Sequence, residues 1–250
     1  MKLTQFETQT DKGLTVKGEY EGNETAGRVI IFSHGFGVTR DSHGMFTEIG
    51  DELKNEYLVV KFDYTIVNKE ENWTKVFPYS KQVEMLKAVY KYIYNEFKPL
   101  EINIIAHSMG CLITGLAQLS NINKILLLAS PPTAPYQRMK DYFAKRPETV
   151  IDESATSTIK RSDGSITYVE SDFWHEMRDV NPPKMYKHLA SKAEVFFVRA
   201  LSDQVITEQD YENIRSIKEI DYNEIDGNHD FEGEAREKLI KLIKDMFNGN

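Results

Sequence analysis

"INIIAHSMGCLITG", residues 102–115, is a short apolar run that closes on His107-Ser108-Met109-Gly110 and continues as the start of a helix. A buried strand passing at once into a helix, with small residues two before and two after a serine, is the setting of a nucleophile elbow. The turn in such a junction is strained, and bulky side chains at 106 or 110 would collide with neighbouring backbone. Ala106 and Gly110 therefore let the chain lift the Ser108 hydroxyl above the carboxyl ends of the strands, beside a helix N-terminus that favours developing negative charge. Serine is also a preferred helix N-cap, so the pattern acquires chemical meaning only with partners elsewhere.

Outward from this run, similar stretches recur. "RVIIF" (28–32), "YLVVKF" (57–62), "KILLLA" (124–129) and "EVFFVRA" (194–200) are continuous apolar segments, as expected of parallel strands buried on both faces, and 220–225 reads as a last strand. Helical patterns lie between them at 45–56, at 75–97 with Val83, Leu86, Val89, Tyr90 and Ile93 on one stripe, and at 108–119; "EGEAREKLIKLIKDMF" supplies a final helix. This alternation predicts an α/β fold with a mostly parallel central sheet and helices on both faces. Near the start, "LTQFETQT" and "LTVKGEY" flank Asp11-Lys12-Gly13 as a hairpin with one solvated face.

One segment breaks the rhythm. From Pro131 to Leu189 the chain is rich in Pro, Tyr and charge, and it delays the next buried strand by roughly sixty residues, well beyond an ordinary loop. The reading is a core of residues 1–130 and 190–250 carrying a cap of residues 131–189. Within the cap, "TIKRSDGSITYV" sets Asp163-Gly164 between two alternating runs, a hairpin signal, and "ESDFWHEMRDV" reads as a short helix capped by Ser171 or Asp172 and stopped before Pro182-Pro183.

A serine hydroxyl is a poor nucleophile unless a base takes its proton, and that base needs an acceptor to orient it. Asp203, in "FFVRALSDQVIT", follows the strand ending near Ala200, and His229, in "EIDGNHDF", lies between the last strand and the final helix. Both fall at strand ends, in the chain order Ser, Asp, His that this arrangement requires. Each alone is an ordinary turn or cap residue; the coincidence of all three is what carries weight. His107 adjoins Ser108 and is expected to point away, and His34, His43, His175 and His188 are weaker candidates for the base. After the first buried strand, "HGFG" (34–37) allows backbone N–H groups to turn inward, so the N–H groups of Phe36 and Met109 are the expected oxyanion hole.

Composition narrows the partners. A formal net charge of -8 gives a field that repels phosphate backbones, which disfavours nucleic acid. The apolar stretches are too short for a membrane span, Cys111 has no second cysteine to pair with, and the N-terminal residues carry no export signal. A cytoplasmic monomer or homodimer acting on a small molecule is the expectation. Cys111 is read as a small buried residue and Asp63 as structural.

Taken together, "HGFG", "AHSMG", "SD" and "NHD", with a cap between the sixth and seventh strands, resemble the α/β-hydrolase fold superfamily over essentially the whole chain. The arrangement is most similar to serine esterases and lipases, among them feruloyl and cinnamoyl esterases and monoacylglycerol lipases; Ala106 departs from the glycine many members have there. The resemblance implies ester cleavage through Ser108, His229 and Asp203 with no metal or cofactor. A thioesterase, amidase, peptidase or acyltransferase would share that triad, and a non-catalytic relative would keep only the fold. Substrate choice is expected to lie with cap aromatics: Tyr136, Phe143, Tyr168 and Trp174 foremost, with Tyr142 and Phe173.

Overall fold

The computed structural model describes residues 2–208 and 210–248. Its centre is an eight-stranded sheet formed by β1 (Thr4–Gln9), β2 (Thr15–Gly22), β3 (Arg28–Ser33), β4 (Leu58–Phe62), β7 (Glu101–His107), β8 (Lys124–Leu128), β11 (Glu194–Ala200) and β12 (Ile220–Ile225). They lie in the order β1-β2-β4-β3-β7-β8-β11-β12. The first two form the antiparallel hairpin and β2 pairs antiparallel with β4; every later pairing is parallel.

The apolar runs are continuous because each strand is covered on both faces. Along β3, Val29 and Ile31 join the cluster under α2 (Tyr79–Phe97) and α3 (Met109–Ala117), whereas Ile30 and Phe32 join the one under α1 (Met45–Leu53) and α8 (Glu234–Asn248). Leu239, Ile243 and Phe247 are the buried stripe of α8, as the period of the final helix implies. Among the described residues, no helix is long and apolar enough to cross a membrane.

The segment between the sixth and seventh strands of this sheet holds α4 (Tyr136–Ala144), β9 (Ser157–Lys160), β10 (Ile166–Val169), α5 (Ser171–Arg178) and α6 (Pro182–Ala190). The Asp163-Gly164 hairpin is present, with Gly164 at φ 84° in its turn. It is half of a second sheet. β5 (Thr65–Asn68) and β6 (Trp73–Val76) complete the order β5-β6-β10-β9, with β6 parallel to β10.

That pairing corrects the helix expected over 75–97. Lys75 and Val76 are strand, and the helix starts after Pro78, whose ring disfavours helical geometry at the preceding residue and suits the entry to a first turn. The helix after the hairpin is capped by Glu170 rather than Ser171 or Asp172. Asn181 caps α6, accepting the Lys184 N–H through its side chain, and Pro182 opens that helix.

Candidate active site

β7 delivers Ser108 at φ 55° and ψ -121°, a combination that L side chains rarely adopt. The need for a small residue at 110 has a direct cause. A Cβ there would stand 2.1 Å from the Ser33 carbonyl oxygen and 2.7 Å from that of His34, so α3 packs against the end of β3 through bare backbone. The junction is tied further where the Ser108 N–H donates to the Leu128 carbonyl at 2.9 Å and the Ser33 hydroxyl to that of Gly110 at 3.0 Å.

The loops after β11 and β12 bring Asp203 and His229 to the same edge. His229 Nδ1 lies 2.7 Å from Asp203 Oδ2, and His229 Nε2 lies 3.0 Å from Ser108 Oγ. An ionised carboxylate only accepts, so Nδ1 carries the proton, Nε2 is left as acceptor, and the Ser108 hydroxyl donates to it. Burial raises the Asp203 carboxyl, but the His229 ring and the N–H groups of Ile206 and Val205 outweigh burial and leave its pKa below the ordinary aspartate value. Both N–H groups donate to Oδ1 at 2.7 Å, which fixes the plane of the carboxylate.

His107 does not simply point away. It is buried, and its Nε2 donates to the His229 carbonyl at 2.9 Å with the two rings 4.8 Å apart. Burial, and next the nearby His229, lower its pKa well below the usual histidine range, so it is a neutral support for the loop. His34 plays a similar part at the next turn. Its Nε2 accepts the Tyr64 N–H at 2.8 Å, and burial lowers its pKa to about 4. Gly35 comes so close to the elbow that a Cβ on it would lie 3.3 Å from that of Ser108. Phe36 and Met109 face the same cavity, and among the described residues neither backbone N–H is engaged by another group of the chain.

Above Ser108 lies a cavity of about 160 Å³. Of the cap aromatics, Phe143 and Tyr142 line it; Tyr136, Tyr168 and Trp174 do not. Trp174 is fully buried and donates its indole N–H to Ser157 Oγ at 2.9 Å, so it holds the cap together. Tyr136 donates to Glu153 at 2.5 Å within a cluster that also includes Lys140 and Arg178. Tyr168 meets Trp73 edge-on across the second sheet, at 6.0 Å. Phe173 lies beneath, 5.4 Å from Phe36 and 5.1 Å from Tyr79.

The sequence alone does not single out the arginines of the wall, Arg138, Arg146 and Arg161; Asp230, a rival acid too near His229 in sequence to orient its ring, also lies there. Arginines in a charged insertion read as solvated, and Arg161 sits in the turn after β9, a place that does not reveal its position on the cavity wall. Cys111 is buried, and burial pushes its thiol up to about 12. Asp63 accepts from the Arg40 N–H at 2.7 Å and from Arg40 Nε at 2.8 Å, a structural clamp.

Residues 24–193 match the family model described as PGAP1-like alpha/beta domain. Among solved structures, the chain is similar to the esterase domain of a Rhodothermus marinus protein, at TM-score 0.71 and 13% identity over 97% of this chain and 96% of that one. An esterase from Pyrococcus furiosus gives TM-score 0.70 and 18% identity over 99% and 90%, and Est1E from Butyrivibrio proteoclasticus gives 0.72 and 14% over 98% of each. No curated protein matches the chain significantly. At these identities the structural likeness speaks for the fold.

Proposed function

The chain belongs to the PGAP1-like alpha/beta domain family and has the α/β-hydrolase fold, and from that premise we propose that it is a serine hydrolase of small carboxylic esters. The observation that carries this reading is the unbroken hydrogen-bond chain from Ser108 Oγ through His229 to Asp203.

In the proposed reaction His229 Nε2 takes the Ser108 proton as Oγ bonds to the ester carbonyl carbon, and the carbonyl electron pair moves onto oxygen. Asp203 holds the imidazole tautomer and stabilises the imidazolium. The N–H groups of Phe36 and Met109 receive the oxyanion, a contribution worth roughly 10²- to 10³-fold in rate per donor. Collapse breaks the bond to the alcohol oxygen, which leaves with the proton from His229. Water then gives its proton to His229 and attacks the acyl-enzyme, releasing the acid and restoring Ser108. Residues 131–189, joined by β5 and β6, act as the cap that encloses the acyl or alcohol group.

The test is hydrolysis of methyl and p-nitrophenyl esters across acyl lengths and hydroxycinnamates, with Ser108→Ala as control. Turnover that disappears in the variant supports the reading; turnover that survives Ser108→Ala at the wild-type rate removes it.

A further inference from the structure

Three arginines reach the wall of the cavity above Ser108, in a chain whose formal net charge is -8. One of them is accounted for by the fold. Arg138 Nε donates to Glu208 at 2.8 Å and its Nη1 to the Val205 carbonyl at 2.9 Å. The other two are different. Arg146 lies with its guanidinium carbon 5.0 Å from the Tyr142 ring centre and 5.1 Å from that of Phe143, and its Nη2 donates to the Tyr142 hydroxyl at 3.0 Å. Arg161 packs against the turn after Phe36, with Nη1 3.6 Å from where a Cβ on Gly37 would sit. Among the described residues neither forms an ion pair with a carboxylate.

This arrangement sets two like charges close together in partly buried positions. Burial and the neighbouring charge of Arg146 both act against the charge on Arg161. Asp163, which favours that charge, is engaged in the hairpin turn, where it accepts the Ser165 N–H at 2.9 Å and the Ser165 hydroxyl at 2.7 Å. Asp230 is a carboxylate on the cavity wall, and Asp203 is committed to His229. Two partly buried forks of N–H donors, close enough to repel, become favourable together when an anion lies between them, because a guanidinium matches the paired oxygens of a carboxylate or phosphate.

We propose that the cavity selects esters bearing a negatively charged group, carboxylate or phosphate, which Arg146 and Arg161 bind while Ser108 attacks the ester carbonyl. This rests on the serine-hydrolase reading above. It adds a substrate class to it: the uncharged part of the ester meets Phe143, Met139 and Leu112, and the anion meets the cap arginines.

The experiment compares kcat/KM for esters that differ in charge alone. Monomethyl glutarate and adipate are set against methyl pentanoate and hexanoate for a carboxylate on the acyl side. 1-Butyrylglycerol 3-phosphate is set against 1-butyrylglycerol for a phosphate on the alcohol side. The charged member should win by roughly 10- to 100-fold in one series, and that series identifies the source of the anion. Arg146→Met and Arg161→Met should each lower the charged-to-neutral ratio by about tenfold, with Arg161→Lys retaining part of it. Two measurements need no variant: added NaCl should erode the ratio, and glutarate or inorganic phosphate should compete with methyl hexanoate. Neutral esters turned over as well as their charged partners in both series, or a ratio that ignores both methionine substitutions, would overturn the assignment while leaving the hydrolase reading intact. No turnover of any ester would overturn both.

Discussion

The two sheets of this molecule are held by different kinds of burial. In the eight-stranded sheet the central strands are covered on both faces, and side chains such as Ile30, Ile31, Ile104 and Leu127 have no exposed surface. The four-stranded sheet is built from strands of four residues, in which Ile159 and Val169 are buried while their neighbours Lys160 and Tyr168 are only partly so. One sheet makes a rigid edge and the other a lighter cover. The proposed triad, Ser108, Asp203 and His229, stands just beyond the carboxyl ends of strands of the first; Phe143, on α4, and the two arginines, in the turns after α4 and β9, line the cavity from the cap side.

The sharpest way to break that division of labour is kinetic. His229→Ala should lower kcat/KM by about 10⁴-fold or more and Asp203→Asn by about 10³- to 10⁴-fold, whereas Phe143→Ala should change acyl-length preference with a loss under roughly 100-fold. If Phe143→Ala cost as much as His229→Ala on every ester, the cap would be part of the catalytic apparatus and the distinction would fall.

Stability divides the same regions. Gly110→Ala forces a Cβ onto the Ser33 carbonyl and should cost about 3 kcal/mol or more, with loss of activity. Gly164→Ala, at φ 84° on the cap hairpin with nothing within 4 Å, should cost only about 1 kcal/mol, the penalty of a left-handed alanine. Denaturant midpoints measure both, and equal losses would contradict the comparison.

Acid should act through the core. His34 is held neutral with its pKa lowered to about 4, against about 6.5 when unfolded, so below 6.5 the unfolded chain binds a proton that the folded one refuses. Stability should therefore fall by roughly 3 kcal/mol as pH drops from 6.5 to 4, and be insensitive to this group above 6.5. His107 is shifted in the same direction and adds to the fall. Calorimetry near pH 5 in buffers of different ionisation heat should find uptake of about two protons on unfolding; release of protons would refute the assignment of both as neutral.

The smallest effect concerns a corrected residue. Trp174→Phe should lower stability by about 1 kcal/mol through the lost bond to Ser157 while leaving the acyl-length profile unchanged. A shifted profile would return Trp174 to the substrate side.

The difference between the sheets also explains what the sequence revealed. Runs such as 102–106 and 124–129 announce strands because burial on both faces demands continuous apolar residues, and sharp junctions after them demand small ones. The side chains of the proposed triad are therefore legible from Ala106, Gly110 and the positions of Asp203 and His229. Residues 65–68 and 73–76 are not: each strand is four residues long and mixed in polarity, and although β5 pairs with β6 nearby, the pair joins a sheet only through β10, about ninety residues on, as in Thr74 opposite Thr167. For the same reason, aromatic content cannot separate Phe143, on the cavity, from Trp174, buried inside the cap.

The central claim is that Ser108 is made nucleophilic by its contact with His229. The most direct measurement is reaction of the folded protein with a fluorophosphonate, followed by peptide mass spectrometry. A single adduct is expected, on Ser108, formed far more slowly in His229→Ala; a folded protein whose Ser108 stays unmodified, or labels equally well without the histidine, would show that the serine is not activated in this way.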